Sequence, residues 1–337
     1  MLAAATAVSF AACAREASKA EPQGKAFFAF FDTVSYVYSY AEESVEQFNE
    51  RAEMVSGILE KYHRMFDIYH EYTGQNNLCT INRLAGGEPV EVDRELIDFL
   101  LYAKELYTST NGEMNIMLGA VLSQWHDCRE AAQDGEARLP DEQELLEAAG
   151  HTDISLLEID EEKLTVRISD EQASIDVGAL GKGYATERAA ELLEAQGVTS
   201  YVLNIGGNLR IIGTKPDGSG WVTGIRDPQN EGGSIDARLL LANTSCVTSG
   251  VYERYFTVDG KRYHHIIDKD TCYPAAYFSS VTVISEDSAL ADALSTALFC
   301  MPLDEGMEIL KGLHAEALWI LPDGETEYSN GFSEYLE

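Results

Sequence analysis

Ser200-Tyr201-Val202-Leu203-Asn204-Ile205-Gly206-Gly207-Asn208-Leu209-Arg210-Ile211-Ile212 is the stretch on which the architecture turns. Two largely apolar, β-branched runs flank a glycine pair. Glycine enters positive φ without steric cost, so the chain can reverse within two residues, and the stretch reads as strands Ser200–Ile205 and Asn208–Ile212. Upstream, Tyr184–Gln196 has helical spacing and stops at Gly197. Downstream come strands at Trp221–Ile225, Arg238–Ala242, Tyr252–Val258 and Ser279–Ser285, then a helix over Ala289–Cys300 and a last helix–strand pair. The N-terminal half adds a strand pair over Ala26–Tyr40, reversing around Asp32-Thr33, and a long amphipathic helix over Ser44–Tyr69. Leu78–Asn82 reads as part of a short connection, and Asp93 caps a helix that ends at Asn111-Gly112. Glu130–Gly150 reads as an acidic helical excursion, and Leu164–Ile168 alternates as a strand. This order predicts an α+β fold with a mixed, largely antiparallel sheet and flanking helices.

The chain has 337 residues, 45% of them apolar and 24% charged, with a formal charge of -33. The first two proportions are those of a globular protein and exclude disorder of the whole chain. The charge excludes a nucleic-acid partner, because phosphate backbones are neutralised by clustered Lys and Arg that this sequence lacks. It also sets a condition on any anionic ligand. Screening over roughly 8–10 Å removes only distant repulsion, so such a ligand must be met by local cations or backbone donors.

Met1–Ala12 is small and apolar and runs into Cys13, a pattern like the end of a bacterial lipoprotein signal. The organisation expected is residues 1–25 as signal remnant, lipidated Cys13 and tether, with 26–337 as the functional domain. The protein would then work outside the cytoplasmic membrane, attached only through the lipid. A plain buried N-terminal helix is the alternative. Cys79, Cys128, Cys246, Cys272 and Cys300 form no C-x-x-C pair and read as packing residues.

Four stretches of the second half carry chemistry. Asp176-Val177-Gly178-Ala179-Leu180-Gly181-Lys182-Gly183-Tyr184-Ala185 is a glycine-rich loop entering a helix, where free amides and the helix dipole favour an anion and Lys182 adds positive charge. A tight packing turn accounts for it equally. The Gly206-Gly207 pair could turn its amides to a phosphate or a ring edge, or serve only as a hairpin. Asp292 and Thr296 are four apart on a helix, so carboxylate and hydroxyl share a face and suit a hard cation such as magnesium. A helix-terminal carboxylate with a self-bonded hydroxyl is the structural reading of the same pair. Arg262-Tyr263-His264-His265-Ile266-Ile267-Asp268 ends a strand with two imidazoles beside a carboxylate, and adjacent strand positions point to opposite faces, so one histidine at most faces a site.

Together and in order, these stretches resemble the ApbE family of FAD:protein FMN transferases. The resemblance runs from about Phe30 to Phe299, with further carriers at Phe31-Asp32-Thr33, Asn82-Arg83-Leu84, Gly112–Trp125 and Thr248-Ser249-Gly250. It implies a T-fold-like arrangement, with 26–337 as the flavin transferase domain. It further implies FAD across the glycine-rich loop and magnesium on Asp292, Thr296 and the main-chain carbonyl of Ala179. By the same likeness Phe31, Tyr69, Glu113, Met114, Asn115, Asp176, Lys182, Gly206, Gly207 and Ile266 line the flavin or adenosine. The implied reaction moves FMN onto a threonine of an acceptor protein of a membrane redox complex and releases AMP, with His265 or Asp268 as candidate base. The chain departs from the family's habit at Asp32 and Cys272, where Gly is usual, at Lys269, where Pro is common, and at Asn115, where Asp is usual. Two alternatives use the same pocket: an FAD pyrophosphatase, with water as nucleophile, and a non-catalytic flavin-binding lipoprotein, which has no need of Asp292 and Thr296.

Overall fold

A computed structural model describes residues 22–229 and 235–337; Cys13 and its neighbours lie outside the described residues. In chain order the elements are β1 (Gln23–Phe30), β2 (Thr33–Ser39), α1 (Val45–Phe66), α2 (Leu78–Arg83), β3 (Val90–Glu91), α3 (Arg94–Ser109), α4 (Gly119–Gln133) and α5 (Glu142–Ala149). Then come β4 (Leu157–Asp160), β5 (Thr165–Ile168), α6 (Gly181–Glu194), β6 (Ser200–Ile205), β7 (Asn208–Gly213), β8 (Trp221–Arg226) and β9 (Ile235–Leu241). The chain closes with β10 (Ser245–Gly250), β11 (Tyr255–Val258), β12 (Lys261–His264), β13 (Ser280–Ser285), α7 (Ser288–Ala297), α8 (Leu303–Leu310), β14 (Ala315–Ile320) and β15 (Thr326–Tyr328).

Eight strands form one sheet in the order β1-β2-β6-β7-β10-β13-β14-β15. Each neighbouring pair is antiparallel. The period of two along a strand sends alternate residues to two cores. On one face Ile205, Val247, Val281 and Val283 pack against α1, α6 and α7, where Ala185, Ala189, Ala291 and Ala293 keep side chains short enough for the helices to approach closely. On the other, Val202, Ile211, Ile284 and Leu318 are covered by Trp221, Ile225, Leu239 and Leu241 of the β8–β9 ribbon and by Phe332. A third cluster seats the β11–β12 hairpin on α4: the Trp125 ring lies against Phe256 and Tyr263, and its Nε1–H donates to the Cys272 carbonyl at 2.8 Å.

Several boundaries differ from expectation. β1 begins at Gln23, which pairs with Ser39, so the tether expected to reach residue 25 gives way to sheet before that point. The hairpin reverses at Phe31-Asp32, whose φ of 53° and 50° are those a two-residue turn of the primed kind requires. Leu78–Arg83 is a helix and not a connection, because Asn77 caps it by accepting the Thr80 amide at 3.1 Å. β10 stands in the middle of the sheet, yet its sequence Ser-Cys-Val-Thr-Ser-Gly lacks the apolar alternation of a strand.

Candidate active site

The loop 176–180 delivers the start of α6 against α7, and Gly183 makes that contact possible. A Cβ at this position would collide with Cβ of Asp292 and the carbonyl of Ser288. The Gly183 amide donates to Asp292 Oδ2 at 2.8 Å instead of to the carbonyl one turn back, so that carbonyl, of Ala179, receives no backbone donor. Lys182 Nζ donates to the Gly178 carbonyl at 3.2 Å and stands 3.7 Å from Asp292 Oδ2. A turn further along α7, the Thr296 hydroxyl lies 3.3 Å from Ser249 Oγ, which is itself 2.8 Å from Ser295 Oγ. Asp292 is buried and Thr296 half-buried. The set is a carboxylate, a hydroxyl and an undonated carbonyl, all hard oxygens. No group of three or more His, Cys, Asp or Glu gathers among the described residues. Such a set fits a cation that takes few protein ligands and completes its shell with phosphate and water, as magnesium does.

Asp176 begins the loop and is half-buried, its Oδ1 accepting the Gly178 amide at 2.8 Å. Burial pushes its carboxyl up, against the pull of that amide and of His126, Arg129 and Arg254. Burial also lowers the Arg129 guanidinium, and the charge of Arg254 lowers it further. Arg129 and Arg254 thus act together on Asp176, and Arg254 and Lys182 on His265, in a chain with charge -33. Sequence reasoning found Lys182 and missed both arginines and His126. The available signal was scarcity, with 24 cations against 57 acids, together with His126 and Arg129 a helical turn apart beside the buried Val121, Trp125 and Cys128.

Tyr69 faces the same region. Its ring lies 5.4 Å from that of His126 at 32°, and its phenol is pushed up to about 12 by burial and next by the charge of Asp176. Asp67 holds the loop that presents it, accepting the amides of Tyr69 and His70 at 2.7 and 3.0 Å and the Tyr72 hydroxyl at 2.8 Å. Phe31 sits on the left-handed turn, edge-on to His63 at 5.5 Å, and its amide donates to His63 Nδ1 at 3.3 Å.

The histidine pair divides, but not by strand alternation: His264 is the last residue of β12 and His265 lies in the bend beyond it. His264 donates Nε2–H to the Ala275 carbonyl at 2.9 Å and accepts the Ile266 amide on Nδ1 at 3.3 Å, so both ring nitrogens are spent on the fold. His265 donates Nδ1–H to the Arg254 carbonyl at 3.2 Å, which leaves the lone pair on Nε2. Burial, and then Arg254, push it down to about 3, with Lys182 among its charged neighbours. Asp268 has a different occupation. Its Oδ1 accepts the amides of Asp270 and Thr271, each at 2.9 Å, and its charge acts on Glu113. Glu113 pairs with Lys269 at 3.2 Å, and burial raises its carboxyl despite that partner.

Other residues expected to line the ligand make contacts within the fold. Asn115 spends its side chain on the Thr152 carbonyl and the Met117 amide, both at 2.9 Å. Met114 and Ile266 are buried in the main core. The Gly206 amide donates to the Val34 carbonyl at 3.3 Å and that of Gly207 to Asn204 Oδ1 at 3.0 Å, so the glycine pair is a hairpin turn whose amides are not presented to a ligand. The neighbouring Asn208 is 2% exposed, and its Nδ2 has no partner.

An antiparallel sheet backed by two closely packed helices, with cations, an acid–hydroxyl pair and a glycine-rich turn at their junction, defines an α+β protein with a corner of hard oxygens beside positive charge. The chain belongs to the ApbE family, whose sequence model matches residues 33–319. It is 32% identical over 269 residues to the FAD:protein FMN transferase of Treponema pallidum, covering 75% of this chain and 73% of that protein. The protein of the same name from Haemophilus influenzae is 28% identical over 317 residues, covering 92% and 88%. Among solved structures, the ApbE protein of Thermotoga maritima superposes with a TM-score of 0.83 at 30% identity, covering 94% of this chain and all of that one, a coverage of 100%.

Proposed function

We propose that this chain transfers the FMN half of FAD to a threonine hydroxyl of another protein, with magnesium, and releases AMP. The observation that carries this is the approach of Lys182 to the buried Asp292, with Arg129 and Arg254 acting on Asp176 at the head of the same loop, in a protein of charge -33. A diphosphate is the ligand such a corner suits, and relatives of this chain bear the name FAD:protein FMN transferase. Asp292, Thr296 and the Ala179 carbonyl hold magnesium, which when bound neutralises charge on the phosphates. Lys182 and the two arginines hold the pyrophosphate and stabilise the charge that grows on the leaving AMP. Tyr69 and Phe31 offer ring faces to the flavin.

The bond between the two phosphates breaks as the acceptor oxygen attacks the FMN phosphorus. The acceptor's proton goes to His265 Nε2, which carries the lone pair because Nδ1–H is donated to the Arg254 carbonyl. Asp268, bound by two amides of its own turn, keeps the loop after β12 in shape. The acceptor belongs to a membrane redox complex, and the enzyme works outside the cytoplasmic membrane on a lipid at Cys13. The test is incubation with FAD, magnesium and a threonine-bearing acceptor, followed by mass spectrometry. One FMN gained by the acceptor, and lost in Asp292→Ala, is the expected result. FMN and AMP released with no adduct would replace the transferase by a pyrophosphatase, and untouched FAD would leave only a binding protein.

A further inference from the structure

The junction of α6 and α7 has a second fastening one turn beyond Gly183. Glu187, on α6 and 6% exposed, accepts the main-chain amide of Ser288, the first residue of α7, on Oε2 at 2.7 Å. The same carboxylate takes Arg210 of β7 through Nε at 3.1 Å and Nη2 at 3.3 Å. Arg210 is 4% exposed and passes its other Nη2 contact to Glu194 at 3.0 Å. The remaining early amides of α7 are met from within: Asp287 Oδ1 accepts those of Ala289 and Leu290 at 2.7 and 3.3 Å. Glu187 is therefore the group that ties the start of α7 to another helix through its backbone.

We infer that Glu187 is a positioning residue for the cation site, setting the register of α6 against α7. Asp292 lies one turn into α7 and Gly183 one turn before Glu187, so the Gly183–Asp292 and Glu187–Ser288 bonds are two rungs between the same helices. A shift at the second rung moves the Asp292 carboxylate and the Thr296 hydroxyl relative to the Ala179 carbonyl. Buried ion pairs are weak sources of net stability, because desolvation offsets the attraction. Geometry is what this one supplies. The inference rests on the proposed reading that Asp292 binds magnesium.

The test measures the melting temperature of the full chain with saturating FAD against magnesium concentration, and takes the midpoint of the rise. Groups that orient a metal ligand typically cost 10–100-fold in metal affinity when altered, so Glu187→Gln is expected to raise the midpoint about tenfold. Ser288→Pro supplies an independent variant. It removes the amide that Glu187 accepts, sits at the helix position where proline is best tolerated, and leaves the Arg210 pair in place. It should raise the midpoint several-fold. Glu194→Gln touches the same arginine but not α7, and should leave the midpoint unchanged while lowering the melting temperature without magnesium. An unmoved midpoint in both Glu187→Gln and Ser288→Pro, or an equal rise in Glu194→Gln, overturns the positioning role. If Asp292→Ala also keeps the wild-type midpoint, the magnesium reading itself is at fault.

Discussion

At the scale of single residues, His265 makes a claim about pH. Its ordinary value is 6.5 and its folded value about 3, so the unfolded chain binds this proton more readily than the folded one between those limits. The stability it contributes is complete above about pH 6.5 and is lost as pH falls toward about 3. Its ring resonance, followed by NMR, should stay that of a neutral imidazole through about pH 5 to 8, and Arg254→Met should move its titration upward, still below 6.5 because burial is the larger cause. A His265 titration near 6.5 in the wild type would remove the tautomer argument. Backbone explains two departures from the family's glycines. Asp32 and Cys272 both occupy the left-handed region, at φ 50° and 57°. Asp32 is exposed with no side-chain role in the fold, so Asp32→Gly should gain up to about 1 kcal/mol and raise the melting temperature. Cys272 is buried, and the packing its thiol would lose offsets the same relief.

Among the elements, α6 and α7 decide whether the site exists. Replacing a helical glycine by alanine ordinarily gains about 1 kcal/mol from helix propensity. At Gly183 that gain is outweighed, because the new methyl would press into Asp292 and the Ser288 carbonyl, and overpacking costs roughly 1–3 kcal/mol. Gly183→Ala should therefore lower the unfolding free energy by up to about 2 kcal/mol and abolish the magnesium response, measured by denaturant titration and by the melting midpoint. Much of this architecture was legible. The turn at Gly206-Gly207, the amphipathic α1 and the acid–hydroxyl spacing on α7 are local patterns, and local patterns survive in sequence. β10 was not legible, since Ser245 and Ser249 interrupt the apolar run. Neither was the use of the glycine-pair amides, which depends on Val34 and Asn204 meeting them. Arg129 and Arg254 escaped notice for the same reason: α4 and the start of β11 become neighbours only through the Trp125 cluster.

Over the whole molecule, the charge of -33 and the cationic corner act on FAD at different distances. The approach of a diphosphate is governed by the net field, which repels it, and this field is cut off beyond about 8 Å at physiological ionic strength. Contact is governed by Lys182 and Arg129, whose partly buried positions are screened much less, together with the exposed Arg254. The two terms therefore separate kinetically. Raising salt from about 20 to 150 mM should increase the association rate of FAD by roughly 2- to 5-fold, measured by stopped-flow flavin fluorescence at fixed magnesium. Arg129→Gln should leave that salt response in place but speed dissociation, since losing a hydrogen bond from a charged group costs about 1.5–3 kcal/mol, or roughly ten- to a hundredfold in affinity. An association rate that falls with salt would mean that the corner's field reaches past the acidic surface and captures the ligand at a distance. In that case the many surface carboxylates contribute nothing to the approach, and the arginines steer FAD as well as hold it.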